Sequence, residues 1–279
     1  MTSLRSAAQS PTALLPVPLA RCRAQYSGPV FLIASGPSAA RFALHDYSNY
    51  PMMTMNGAIS KFLDAGTSPS FYVSTDESFS LQHPKLYTAA LASAAHVFIR
   101  RENYDEGAYQ GTGQLYLLDK ADTPTLVDRV MRQEQDLLFN FSLFSRRKNR
   151  LGFSKNLEKG IFDCRTVAYS AIQLAYHLGF NQVFLVGVDL DQAQPRFYET
   201  ADQDQTISPC CLDEHFDDRI LPSFQLLSER VVDENFTVYN LSEHSRIPDT
   251  VIPKVTVEQV DSILGQLAVP SGAAAMRPY

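Results

Sequence analysis

A series of short apolar runs, each cut off by a polar or glycine-containing cluster, governs what this chain can fold into. Pro29-Val-Phe-Leu-Ile-Ala34 stops at Ser35-Gly-Pro-Ser38, Met52-Met-Thr-Met55 at Asn56-Gly57, Phe71-Tyr-Val-Ser74 at Thr75-Asp76, and Gln182-Val-Phe-Leu-Val-Gly187 at Val188-Asp-Leu-Asp191. Continuous runs without polar alternation read as strands buried on both faces. Ala95–Ile99, Gln114–Leu118 and Thr237–Leu241 add further strands, and helical stretches are predicted at 57–66, 82–94, 165–179, near 222–233 and near 256–267. In 165–179, Val167, Ala171, Leu174 and Leu178 recur at helical spacing and Gly179 stands at the C-cap position. Strands alternating with helices in this way predict an α/β fold: a single Rossmann-like domain with a mostly parallel sheet.

The ends of the chain read differently. Residues 1–27 are rich in Ser, Ala and Pro, and Pro270-Ser-Gly-Ala-Ala-Ala-Met-Arg-Pro278 closes the chain. Flexible tails are expected at 1–27 and 269–279, with one domain over 28–268 and a small lid near 191–221. A chain of 279 residues with 45% hydrophobic content can bury a core without disulfides or metals. Its four cysteines include the adjacent pair Cys210-Cys211 and no CxxC, which suits neither a disulfide framework nor a zinc site. No apolar stretch reaches the roughly 18 residues of a membrane span. The net charge of −6 argues against nucleic acid as a partner.

In an open α/β sheet, ligands bind beyond the carboxyl ends of the strands. Ser35, Gly36, Ser38, Asn56, Ser74, Thr75, Asp76 and Asp189 all fall at such ends, so a fold of this class gathers them on one rim. Gly36 permits close backbone approach, and Pro37 suits the first turn of a following helix whose N–H groups favour a phosphate. The full GxGxxG and Walker patterns are absent, so the turn alone does not single out a dinucleotide or triphosphate site. Asp189-Leu-Asp191 has the DxD form that holds a divalent cation in many glycosyltransferases, although two carboxylates make an incomplete ligand set. A single strand-end Asp that binds a ribose hydroxyl is the competing reading.

The segment 146–159 carries six cations (Arg146, Arg147, Lys148, Arg150, Lys155, Lys159) and one anion, a surplus of +5 in a chain of net charge −6. Such segregation fits an anionic substrate or a negatively charged membrane surface, or else a plain basic loop. Among six histidines, His215 stands out in Leu212-Asp-Glu-His-Phe-Asp-Asp218, where acidic neighbours are placed to orient its ring. Neither GxSxG nor HExxH occurs, which leaves nucleophilic and zinc hydrolases without support.

The ordered series Phe31-Leu-Ile-Ala-Ser-Gly-Pro-Ser38, Met55-Asn-Gly57 and Phe71-Tyr-Val-Ser-Thr-Asp76 resembles the WaaZ or RfaZ proteins of lipopolysaccharide core biosynthesis, the Kdo transferase III family. Gly152-Phe-Ser-Lys155, Gly160, Cys164–Tyr176, Gly187-Val-Asp-Leu190, Arg196-Phe-Tyr198 and Val238-Tyr-Asn-Leu-Ser242 continue the likeness, which runs from about residue 30 to 255. More distantly, the chain is similar to bacterial sialyltransferases that use CMP-sialic acid and have one Rossmann-like domain with a lid. It departs from them at Ser35, where they have Asn, and at Val167-Ala168, where they have Ser-Gly.

The resemblance implies transfer of 3-deoxy-D-manno-oct-2-ulosonic acid (Kdo) from CMP-Kdo onto a lipid A–Kdo acceptor in the lipopolysaccharide inner core. It implies donor contacts at Ser35, Gly36, Ser38, Asn56, Ser74, Thr75, Asp76, Thr166 and Asp189, and His215 as general base. Arg146, Arg147, Lys148, Arg150 and Lys155 are then expected to meet the acceptor or an anionic membrane surface, with the protein cytoplasmic and peripheral to the inner membrane. No cofactor is expected, a divalent cation at Asp189 and Asp191 being the alternative. Two other functions remain open: a nucleotide-dependent enzyme similar to pterin diphosphokinases, and a non-catalytic protein that binds a nucleotide or an anionic glycolipid.

Overall fold

A computed structural model describes residues 15–105, 109, 111–122, 135–140, 151–199 and 212–268. Seven strands, β1 (Pro29–Ile33), β2 (Met52–Met55), β3 (Phe71–Ser74), β4 (His96–Arg100), β5 (Gln114–Leu118), β8 (Gln182–Val186) and β9 (Thr237–Asn240), form one sheet. Its order is β5-β4-β3-β2-β1-β8-β9, and every pair in it is parallel. The chain winds outward from β1 through β2 to β5, then crosses over to β8 and β9. The switch point of the topology therefore lies between β1 and β8, where open sheets bind their ligands.

The continuous apolar runs have a direct structural cause. Side chains alternate across a strand, so Val30 and Leu32 enter one core while Phe31 and Ile33 enter the other. The first core is covered by α4 (Val167–Leu178) and α6 (Leu221–Arg230). The second is covered by α1 (Ile59–Asp64), α3 (Pro84–Ser93) and α7 (Val257–Ala268), which supply Ile59, Phe62, Leu91, Val260 and Leu264. Phe31, Phe184 and Tyr239 stand in register on β1, β8 and β9 and stack at 5.1 and 5.5 Å. Short helical pieces complete the elements: α2 (Phe79–Gln82), α5 (Leu212–His215) and several 3₁₀ turns.

α4 begins at Thr166 and ends at Gly179, whose φ of +101° is the left-handed conformation that a C-cap glycine supplies. Within α4, the side chain of the fully buried Gln173 stitches a small two-stranded ribbon to the domain. This ribbon, β6 (Leu137–Phe139) against β7 (Gly152–Ser154), is antiparallel. Gln173 Oε1 accepts from the backbone N–H of Ser154 and Phe162, both at 3.0 Å, and Nε2 donates to the Phe162 carbonyl at 2.9 Å.

Part of the segment expected as a tail at 1–27 is among the described residues. Residues 15–27 pack on the domain: Val17 N–H reaches the Leu115 carbonyl at 2.7 Å, Cys22 is buried, and the Tyr26 ring lies against Phe71 and Phe180. One buried and one half-buried side chain, Cys22 and Tyr26, anchor a segment otherwise rich in Ser, Ala and Pro. Residues 1–14 and 269–279, the rest of the expected tails, lie outside the described residues. Cys22 and Cys164 are free, buried thiols. Among the described residues no helix is long and apolar enough to cross a membrane.

His177, also on α4, holds this N-terminal segment. Its Nδ1 accepts from Leu157 N–H at 3.2 Å, and its Nε2 faces the Leu19 carbonyl at 3.1 Å, which can only accept. Both bonds require the neutral ring protonated at Nε2. Burial lowers the pKa of His177 from its ordinary 6.5, with Arg23 adding to the shift and the Leu19 bond and Glu158 opposing it. His83 and His96 are lowered by burial as well. Folded-state values below the unfolded value mean that the unfolded chain takes up protons first on acidification. Stability should therefore be constant above about pH 6.5 and fall below it, by at most about 1.4 kcal/mol per pH unit per histidine. Thermal melts from pH 7.5 to 5 should show this acid limb, and His177→Gln should flatten part of it; a variant melting curve as pH-dependent as wild type would remove His177 from the account.

Candidate active site

A cleft of about 460 Å³ opens beyond the carboxyl ends of the strands at the β1/β8 switch point. Ser35, Gly36, Asn56, Thr75, Asp76, Thr166, Asp189, Asp191 and His215 all line it. Residues separated by as many as 180 positions thus meet in one place. Ser38 and Ser74 stand behind this wall and hold members of it in position.

The β1 turn departs from expectation. Pro37–Arg41 forms a 3₁₀ turn, and its N–H groups are already engaged. Gly36 N–H donates to the Gly187 carbonyl, and Ser38 N–H donates to Asp189 Oδ2, both at 2.9 Å. A Cβ on Gly36 would collide with the Asp189 carboxylate and the Gly187 carbonyl, so glycine here permits contact between β1 and β8 rather than with a phosphate. The Ser38 and Ser242 hydroxyls are 2.8 Å apart and join the turn to the segment after β9. Asp189 is 5% exposed; its Oδ2 is held by Ser38, while its Oδ1 is buried without a protein partner. That orphaned oxygen is the acceptor a bound hydroxyl would satisfy.

Asn56 ends β2 with φ +44°, and its Oδ1 lies 3.4 Å from the Ser74 hydroxyl. Asp76 Oδ1 accepts from both the backbone N–H and the hydroxyl of Ser78, at 2.9 and 2.7 Å, so this carboxylate shapes its own loop. Arg165 and Leu190 have φ of +72° and +56°. Of four non-glycine residues with positive φ among the described residues, Asn56, Arg165 and Leu190 line the cleft. Backbone strain of this kind gathers where a site demands it.

The anion-attracting element is the start of α4. Thr166 is its N-cap and makes no side-chain capping bond, no acidic residue lies in the first turn, and Val167 and Ala168 line the cleft. The N-terminus of a twelve-residue helix left in this state favours a negative ligand. Four cations join it: Arg100, Lys120, Arg165 and Arg196. Arg100 is 3% exposed and bonds bidentately to Glu102 at 3.0 and 3.1 Å, with Asp163 at 3.8 Å. Arg196 pairs with Glu199 at 3.6 Å and donates to the Tyr198 hydroxyl at 3.1 Å. Tyr198 lies so close over Gly57 that a side chain there would strike its ring. Phe197 N–H donates to the Ser35 carbonyl at 3.1 Å, which ties the first part of the expected lid to the β1 turn. Residues 200–211 of that lid lie outside the described residues.

Sequence reasoning missed these cations, although Arg100 ends β4 and Lys120 follows β5; the strand-end rule, applied to those two runs, finds both. Of the cations it did single out, Lys155 is among the described residues. Lys155 follows β7, its N–H bonded to the Asp136 carbonyl, and is not among the cleft residues. Arg146, Arg147, Lys148 and Arg150 lie outside the described residues.

His215 closes α5 and lines the cleft, with Nδ1 3.7 Å from Asp218 Oδ1. Directly after it the helix widens into a π turn over Phe216–Ile220 before continuing as α6. Pro222 explains the widening: in a regular α-helix its ring would clash with the Asp218 carbonyl and its missing N–H would break the ladder. Turns of this kind inside helices mark functional sites with unusual frequency.

The divalent cation considered at Asp189 and Asp191 finds no support in the donor set. Asp189 Oδ2 holds Ser38, and the two Asp191 oxygens accept from Ala193 N–H and Gln194 Nε2 at 2.9 and 2.8 Å. The left-handed Leu190 between them turns the chain, and both carboxylates serve the loop. Among the described residues there is no group of three His, Cys, Asp or Glu side chains suited to a metal ion.

A parallel α/β sheet with an open helix terminus and cations at its switch point offers a site for an anionic ligand. Residues 125–258 match the family model described as 3-deoxy-D-manno-octulosonic acid transferase WaaZ. The chain is 25% identical over 250 residues to a probable 3-deoxy-manno-octulosonic acid transferase of Escherichia coli K12, covering 85% of each. It is also 25% identical over 243 residues to the protein of the same description from Salmonella typhimurium LT2, covering 82% of this chain and 87% of the relative. A solved structure, the MAf glycosyltransferase from Magnetospirillum magneticum AMB-1, aligns with a TM-score of 0.45 and 18% identity over 86% of this chain and 36% of that one. These sequence relationships support a glycosyltransferase. Within that class the chain's likeness is to the WaaZ-type Kdo transferases, the family its ordered motifs resemble.

Proposed function

We propose that this protein transfers Kdo, or a closely related ulosonic acid, from a CMP-activated donor onto a Kdo-bearing acceptor of the lipopolysaccharide inner core. One observation carries the reading: the open N-terminus of α4, with Arg165 and Arg196, lines the same cleft as His215. The first group suits a phosphate leaving group and the second a hydroxyl nucleophile. In a single displacement, the acceptor oxygen bonds to the anomeric carbon as the carbon–oxygen bond to phosphate breaks. CMP leaves with the bonding electrons, the acceptor proton passes to His215, and the anomeric configuration inverts. The α4 terminus and the neighbouring cations stabilise the charge that develops on the departing phosphate. The Asp189 Oδ1 acceptor and Asn56 are assigned to the nucleoside side of the donor.

CMP should raise the melting temperature of the protein, and ATP or GTP with Mg²⁺ should not. The opposite ranking would favour a kinase-like nucleotide enzyme. The basic stretch 146–159 is assigned to the acceptor lipid and the anionic cytoplasmic face of the inner membrane, where each basic residue near the surface contributes about 1 kcal/mol. Reversal of Arg146, Arg147 and Lys148 to Glu should weaken sedimentation with anionic vesicles and leave CMP binding intact. Undiminished sedimentation would remove the membrane role.

A further inference from the structure

His215 is flanked by two residues that one distant side chain holds together. The Arg246 guanidinium forms an ion pair with Asp213 and lies over the Phe216 ring, 3.8 Å from its centroid. Its Nη1 also donates to the Leu190 carbonyl at 3.3 Å, and its backbone N–H donates to the Asp189 carbonyl at 3.0 Å. One residue therefore grips the chain on both sides of His215 and ties it to the turn that carries Asp189. Arg246 itself is not part of the cleft wall. From the other side Arg219 Nη2 donates to the Asp163 carbonyl at 2.7 Å, and Asp213 N–H donates to Gln192 Oε1 at 3.1 Å.

The π turn follows His215 directly, and single turns of this kind inside helices are frequent at functional sites. An imidazole that must meet a hydroxyl within hydrogen-bond reach loses rate quickly when displaced by about 1 Å. Arginine suits the task because its planar fork can serve a carboxylate, a carbonyl and an aromatic face at once, which lysine cannot.

We propose that Arg246 is a positioning residue for His215: through Asp213 and Phe216 it sets where the imidazole stands relative to the turn carrying Asp189. The proposal rests on the reading of His215 as the general base, and the test separates the two.

Transfer kinetics and CMP affinity are compared for wild type, Arg246→Ala, Arg246→Lys, His215→Asn and the double variant Arg246→Ala/His215→Asn. Arg246→Ala should lower kcat by roughly 10- to 50-fold, part of what a general base contributes, with donor KM and CMP affinity nearly unchanged. Arg246→Lys, which keeps the charge for Asp213 but loses the stacked fork, should fall between it and wild type. The double variant should be no slower than His215→Asn alone, because a residue that acts only through His215 has nothing left to position. Losses that multiply in the double variant would overturn the proposal, as would full kcat in folded Arg246→Ala. Wild-type transfer by His215→Asn would overturn the base reading beneath it. If Arg246→Ala does not yield folded protein, the cycle built on Arg246→Lys makes the same decision.

Discussion

His215→Asn should lower the rate of sugar transfer by roughly 10²- to 10⁴-fold, the usual contribution of a general base, and leave CMP binding almost untouched. The expectation follows from position. His215 lines the cleft, and among the described residues its ring faces the Asp218 carboxylate at 3.7 Å. Asparagine preserves polarity and approximate size but takes up no proton at neutral pH. The effect should fall on kcat. A variant that transfers at the wild-type rate would move the base elsewhere in the cleft.

Asp189→Ala should produce the second large effect, on both stability and donor binding. It removes the acceptor for Ser38 N–H in a buried site, and an unsatisfied group of that kind costs about 1–3 kcal/mol. The 3₁₀ turn after β1 loses its tie to β8 as well, since Gly36 packs against the same carboxylate. CMP affinity should fall by roughly 10- to 100-fold, equivalent to the loss of one or two good hydrogen bonds at 1.4 kcal/mol per factor of ten. Asp189→Asn separates the two roles. Its amide oxygen still accepts from Ser38, so the melting temperature should recover most of the loss, while nucleotide binding stays weak. An Asn variant that binds CMP as wild type does would make Asp189 a structural residue alone.

The strands were legible in the sequence because burial on both faces removes polar alternation and leaves runs such as Val30–Ile33 and Val183–Val186 unmistakable. Their shared polarity of termination made the rim legible too, since a parallel sheet sends every carboxyl end to the same side. Other features depend on partners far away in the chain. The Gly36–Ser38 turn looks like an open phosphate cradle until Asp189, 151 residues from Ser38, is seen to occupy its N–H. The β6–β7 ribbon has only three residues per strand and owes its place to the Gln173 side chain, for which no periodic signal exists. The N-terminal segment escaped detection because two anchors, Cys22 and Tyr26, suffice to dock it. The π turn had a local sign in Pro222, four residues beyond Asp218, that is visible once the helix is known to begin at Leu212.

Charge density and strand-end position single out different cations. The +5 surplus at 146–159 draws attention by density. Among the described residues, the cleft takes Arg100, Lys120, Arg165 and Arg196 singly from four separate places in the chain, each beside a strand end, a helix start or the lid. Cations dispersed in this way leave no visible motif in the sequence.

The central claim is transfer of an ulosonic acid from a CMP donor, and mass spectrometry of the acceptor tests it most directly. Purified protein incubated with CMP-Kdo and a Kdo-bearing lipid A acceptor should release one CMP for each acceptor whose mass increases by one ulosonic acid. An acceptor of unchanged mass, from protein that is folded and binds nucleotide, would contradict the account.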